Sequence, residues 1–170
     1  AIALMAWEEK FCLGLDEIDE QHKSLVDLIN LIWESIIKGS DNQVIFSLIG
    51  ELEKYTLAHF AAEETLMRIT DYPQFDKHKK EHQDFVARVV EEKAQAVATG
   101  QLSLDMMYFL RNWLGEHILV SDKHYADYSL RNKTENRSLI GRLFGDFSRN
   151  SKIATTLSVR SARIPFSAFF

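Results

Sequence analysis

The chain has 170 residues, 46% of them hydrophobic and 26% charged, with six histidines, two prolines, a single cysteine and a formal net charge of −5. One domain with a sizeable core is the expectation at this length. The lone Cys12 excludes an intrachain disulfide framework and any multi-cysteine zinc or iron–sulfur site.

The first helical signal is Ile18, His22, Leu25, Ile29, Ile32, Trp33 and Ile36, spaced by threes and fours. Lys38 to Asn42 reads as a loop, with Asp41 as the N-cap of the second helix. Ile45, Leu48, Leu52, Tyr55, His59, Glu63 and Leu66 form a second stripe, which Thr70-Asp71-Tyr72-Pro73 interrupts because proline disfavours a helical predecessor. Phe75, His78, His82, Phe85, Val86, Val89 and Val90 form a third, closed by Thr99-Gly100-Gln101. Leu104, Met107, Leu110, Leu114, His117 and Val120 form a fourth. Strand signals are weak. The pattern predicts an all-α, up-down-up-down four-helix bundle over residues 1–130, built from helices of roughly 18–25 residues.

Five of the six histidines fall on the apolar stripes, and two acids join them. Glu63 lies one turn after His59, His82 one turn after His78, and Asp122 five residues after His117. Burying one such group unpaired costs a few kcal/mol, and a bare carboxylate far more. Seven in one bundle call for something shared that neutralises them. Imidazole and carboxylate ligands without thiolate suit iron, manganese, zinc or copper. Five nitrogens are too many for one ion. Two ions bridged by two carboxylates and a further oxygen use all seven ligands, one ion taking three histidines and the other two, and leave one open position on the two-histidine ion. The five-residue step from His117 to Asp122 overshoots one α-turn, so a widened or frayed turn is predicted there.

These residues resemble the hemerythrin family, in particular its bacterial hemerythrin-like domains. The resemblance runs from Trp7 to about Tyr128. It rests on Ile18-Asp19-Glu20-Gln21-His22, His59-Phe60-Ala61-Ala62-Glu63-Glu64, Tyr72-Pro73, His78-Lys79-Lys80-Glu81-His82 and His117 through Asp122. It implies two non-heme iron ions with an oxo or hydroxo bridge. His78, His82 and His117 would hold one, His22 and His59 the other, and Glu63 and Asp122 would bridge them. It further implies reversible O2 binding at the open position, in a pocket lined by Leu114 and Trp113.

Other residues carry blander expectations. His124 reads as a solvated histidine, Cys12 as inert, and Glu64 as a surface or outer-layer group. Asp19, one turn before His22, is a candidate to orient the His22 ring. Gly115 in the fourth helix suggests close packing.

Four-carboxylate di-iron oxidases carry Glu-x-x-His pairs. None occurs here, and neither does a His-Glu-x-x-His metalloprotease motif. The expectation is therefore an O2 carrier or store, not an enzyme. A redox or O2 sensor is the alternative, and an oxidase or peroxidase a more distant one. The absence of a fused signalling segment favours the carrier.

Charge divides the chain further, with a net of −11 over residues 1–130 and +6 over 131–170. The acidic body argues against nucleic-acid binding. Residues 131–170 read as a basic extension, either a short amphipathic helix through Leu139, Ile140, Leu143, Phe144 and Phe147 or a partly disordered tail. The helical reading would offer a membrane surface or a protein partner a docking point. No apolar run reaches the ~18 residues of a membrane span, the N-terminus lacks a secretory-signal layout, and a cytoplasmic setting is expected.

Overall fold

The computed structural model describes residues 3–132, which are helical, with no strand among them. The amphipathic segment expected within 131–170 lies outside the described residues. An N-terminal arm with a short 3-10 turn (Glu9–Phe11) leads into α1 (Asp16–Ile37), α2 (Asn42–Ile69), α3 (Phe75–Thr99) and α4 (Leu104–His117). From α4 the chain continues through one π-helical turn (Ile118–Asp122) into α5 (Lys123–Arg131) without a break. α4, the π-turn and α5 together make the fourth rod of an up-down-up-down bundle, in which each helix packs against its chain neighbours and α4 closes against α1.

Local chemistry sets the helix boundaries. The Asp41 side chain accepts a hydrogen bond from the Gln43 backbone N–H at 2.9 Å and caps α2, as expected. Ser103 caps α4 in the same way through the Met106 N–H. Gly100 ends α3 at φ 73°, a left-handed conformation that glycine adopts without steric penalty. Asp16, Glu17 and Asp19 supply negative charge to the first turn of α1, where exposed backbone N–H groups favour it.

The stripes face the axis over most of their length. Ile32, Ile49, Leu66, Met67, Met106, Met107, Leu110 and Ile118 have no measurable exposure. The stripe ends do not all conform. Val90 (57% exposed), Leu104 (50%) and Val120 (49%) face solvent, contrary to expectation. A straight α-helix drifts about 20° per seven residues from a three-four repeat, so the extremes of a long stripe turn off the core. At Val120 the extra residue of the π-turn is carried outward as well. α2 also runs to 28 residues, beyond the expected span.

The N-terminal arm is pinned to the bundle. Asn30 accepts from the Met5 N–H at 3.0 Å and donates to the Met5 carbonyl at 2.7 Å. Met5 and Phe11 lie over Gly115, where an added Cβ would stand 3.7 Å from Met5 and 3.8 Å from Phe11. These are ordinary van der Waals distances, so the seating of the arm on α4 does not require a glycine there.

Candidate metal centre

His22, His59, Glu63, His78, His82, His117 and Asp122 come together at the bundle axis, each at most 5% exposed. The antiparallel arrangement explains the meeting. His22 on α1 and His78 and His82 on α3 rise along one direction, while His59 and Glu63 on α2 and His117 on α4 run the other way. One helical turn from each therefore coincides at the same height. Asp122 joins because the π-turn absorbs one residue. In an unbroken α-helix a five-residue step rotates a side chain ~140° away, whereas here Asp122 faces the same centre as His117. The widened turn predicted from the sequence is this π-turn.

The contact pattern is divided. Glu63 Oε1 lies 3.3 Å from His59 Nε2 and 3.7 Å from His22 Nε2. Its other oxygen, Oε2, lies 3.3 Å from His82 Nε2 and 3.8 Å from His78 Nε2. Asp122 repeats the division, with Oδ2 3.1 Å from His22 Nε2 and Oδ1 3.1 and 3.2 Å from His78 and His117 Nε2. The donors form two groups, His22–His59–Glu63 and Glu63–His78–His82–His117–Asp122, that share Glu63. All the atoms turned inward are imidazole nitrogens and carboxylate oxygens, a set suited to first-row divalent metals.

The rings are oriented from behind. His59 Nδ1 meets Gln21 Oε1, His82 Nδ1 lies 3.0 Å from Glu64 Oε1, and His117 Nδ1 lies 3.1 Å from Glu81 Oε2. Each acceptor fixes the tautomer with the proton on Nδ1 and leaves the Nε2 lone pair facing the centre. Ser121, within the π-turn, donates to the same Glu81 oxygen. Phe60 stacks on His82 at 3.7 Å and 5°, and Trp113 on His117 at 4.3 Å and 13°. Both oxygens of Glu63 and of Asp122, both nitrogens of His22 and His78, and His59 Nε2 are buried without a hydrogen-bond partner. Such orphaned atoms cost roughly 1–3 kcal/mol each unless something satisfies them. The donor set and its unsatisfied atoms therefore fit a bound cation.

Electrostatics leads to the same place. Burial opposes charge on the rings, but the close carboxylates of Asp122 and Glu63 favour the protonated form and carry His22 up to about 9 and His78 up to about 10. His117 rises to about 9 against its burial, through the charge of Asp122 and its hydrogen bonds to Asp122 and Glu81. Burial takes His59 down to about 4. Burial also opposes the Glu63 and Asp122 charges, yet the surrounding imidazoles hold both carboxyls well below the usual range. The hydrogen bond from His117 takes Glu81 down to about 2.

The metal-free centre therefore holds protons that a metal must displace. Raised histidine values give stability that is complete below the unfolded value of 6.5 and lost as pH climbs through 9 to 10. The depressed carboxylates give stability lost as pH falls through and below their ordinary values of 3.8 and 4.5. Denaturant midpoints of the chelator-treated protein will fall as pH rises from about 6.5 to about 10, and metal loading will flatten that decline. Proton release on metal addition at pH 7 checks the same linkage, and a flat metal-free profile would count against it.

One expectation needs amendment. Asp19 does not orient His22; its Oδ1 accepts from the Leu13 N–H at 2.9 Å and anchors the N-terminal arm. Glu64 is half-buried against His82, which bears out the outer-layer alternative of its expectation. Gln21, Glu81 and Ser121 have no role that sequence alone assigns, because no periodicity links them to rings on other helices. His124 is exposed, as expected, and Cys12 is a free, exposed thiol. Leu114 is buried and Trp113 half-buried, and both line a small apolar recess with Phe60, Leu110, Leu25 and Ile29.

The sequence profile of the hemerythrin HHE cation-binding domain matches residues 13–128. The chain belongs to the hemerythrin family. It is 36% identical over 126 residues to a bacteriohemerythrin of Pseudomonas paraeruginosa, covering 74% of this chain and 82% of that one. It is 30% identical over 130 residues to a bacteriohemerythrin of Clostridium acetobutylicum, covering 73% of this chain and all of the other. A wild-type hemerythrin crystal structure superposes with a TM-score of 0.68 at 30% identity, over 74% of this chain and 97% of that one. The family is thus one of cation-binding four-helix domains, and the cluster lies within the matched residues. No helix among the described residues is long and apolar enough to cross a membrane.

Proposed function

We propose that this chain binds O2 reversibly at a pair of non-heme irons and serves as an oxygen carrier, store or delivery protein, in the cytoplasm. The observation that carries the reading is the division of the two carboxylates. Glu63 Oε1 and Asp122 Oδ2 turn to His22 and His59, while Glu63 Oε2 and Asp122 Oδ1 turn to His78, His82 and His117. One ion per histidine group, with Glu63 and Asp122 shared, uses every inward atom. That places three imidazoles on one side and two on the other, which leaves the two-histidine side the less crowded.

The bound irons, with an oxo or hydroxo bridge, would supply reversible electron donation to O2. The chain supplies the rest. Gln21, Glu64 and Glu81 hold the rings in one tautomer, while Leu114, Trp113 and Phe60 keep the centre dry. A dry apolar wall disfavours charge separation and so favours release of the ligand unchanged over oxidation. The nitrogen-rich set and a recess whose lining holds no acid or base, its one polar side chain being the Thr56 hydroxyl, favour binding over turnover. Residues 131–170 form a separate basic extension in this reading.

Metal analysis joined to the optical spectrum tests it. Two irons per chain and a band that comes and goes with air and reductant are expected. Fewer than two irons with no O2-dependent band would overturn the reading, and sustained turnover of peroxide would replace it with an enzymatic one.

A further inference from the structure

Two apolar hollows lie back to back in the bundle. The inner one is the recess below Leu114 and Trp113, one helical turn from the histidine layer, since Phe85 follows His82 by three residues and Thr56 precedes His59 by three. The outer one is a groove on the seam between α2 and α3, opened to solvent beside Leu57, Val86, Val89 and Val90. Leu52, Thr56 and Phe85 line both, so these three side chains are the partition between them.

The groove is apolar in a place where an α-helical surface is ordinarily charged. Leu57 and Val90 are 53% and 57% exposed there. Its one charged lining residue, Glu53, is paired through Oε2 with Lys93 Nζ at 3.2 Å. Inward of the partition the lining stays apolar up to the rings that face the cluster. Phe85 lies 4.1 Å from the Trp113 ring and edge-on to Phe60 at 5.8 Å, and those two rings stack on His117 and His82. Leu25 and Thr56, three residues from His22 and His59 respectively, carry the same recess toward the two-histidine side. A small nonpolar molecule thus meets apolar surface from solvent to the histidines, interrupted by one layer of side chains.

We propose that the α2–α3 seam is the route by which O2 reaches the centre, with the outer groove as its antechamber and the Phe85 and Thr56 side chains as its gate. The proposal rests on the O2-binding reading above. A transient displacement of the Phe85 ring, packed against Phe60, Phe109 and Trp113, opens the layer wide enough for a diatomic gas. The same motion rejects hydrated ions, which would have to shed water to cross apolar walls. Ligand rates are then set at the seam and ligand affinity at the metals, by different residues.

A barrier placed on a route slows arrival and departure by the same factor and leaves the equilibrium alone. Val86→Trp and Leu57→Trp fill the antechamber from partly exposed positions, without touching the cluster. Rapid mixing and flash photolysis of the iron-loaded protein should show O2 association and dissociation both slowed roughly tenfold, with the dissociation constant unchanged. Ile37→Trp, at an exposed site away from the groove, should leave both rates as they were. Unchanged rates in both seam variants, or a change in affinity with dissociation unaffected, would overturn the route. Xenon under pressure, applied to crystals of the metal-free protein, gives a readout independent of O2. Xenon is expected in both hollows, and only in the inner one of Val86→Trp; an empty inner hollow in both would overturn the proposal. Should the protein bind no O2, the functional reading fails, and the time xenon takes to fill the inner hollow decides the route: slower filling in Val86→Trp than in the unmodified chain is expected, and equal filling times would overturn it.

Discussion

Glu63→Gln will lose metal from both halves of the centre at once. Glu63 is the residue common to both donor groups, with one oxygen 3.3 Å from His59 and the other 3.3 Å from His82. An amide of the same shape keeps the packing but removes the charge, and turns an N–H₂ toward one of the two donor groups. The loss should exceed the ~10- to 100-fold that removing an outer hydrogen-bond partner costs, and it should appear as sub-stoichiometric metal at both positions after dialysis. The metal-free variant should also be destabilised by about 3 kcal/mol, the low end for removing one partner from a buried charge cluster, because the imidazoles can discharge by losing protons. Metal content and denaturant titration together check it. Retention of one tightly held ion with full occupancy would mean that Glu63 is not shared.

Glu81→Ala should come next in size, although Glu81 faces no metal position. It accepts from His117 Nδ1 and from the Ser121 hydroxyl, so it ties the ring of α4 and the π-turn to α3. Without it His117 loses the contact that fixes its tautomer, and metal affinity should fall roughly 10- to 100-fold. Glu81→Gln retains an acceptor without charge and should recover most of the affinity but shift the reduction potential, which a merely structural role would leave in place. Ser121→Ala should have a smaller effect of the same kind. Equal affinity losses in Glu81→Gln and Glu81→Ala would show that the charge, and not the positioning, matters.

Most of the bundle was legible because helical periodicity is a local property. The spacing of Ile18, His22, Leu25 and Ile29 states which face of α1 is apolar, whatever lies opposite. The histidines were legible for the complementary reason: polar residues on an apolar face are costly, so their positions stand out. Even the π-turn could be anticipated, because a ligand five residues beyond His117 cannot face the same way along an undistorted helix. Asp19 marks the boundary of such reasoning. Its place one turn before His22 pointed to the ring, but the N-terminal arm folds back and takes its carboxylate through Leu13. A competitor distant in conformation, though near in sequence, decided the partner.

The sequence by itself determined the helices, their apolar faces, the seven polar residues that must share a centre and the break in helical register at Asp122. Tertiary structure alone decided how those residues are apportioned. Which carboxylate oxygen turns to which imidazole, that Gln21, Glu64 and Glu81 stand behind His59, His82 and His117, and that the inner recess and the outer groove share Leu52, Thr56 and Phe85, all depend on the rotation and axial height of one helix against another. The physical reason is that a 3.6-residue period reports direction about a helix axis and nothing about what a neighbouring helix presents there. That is settled by packing summed over the whole core.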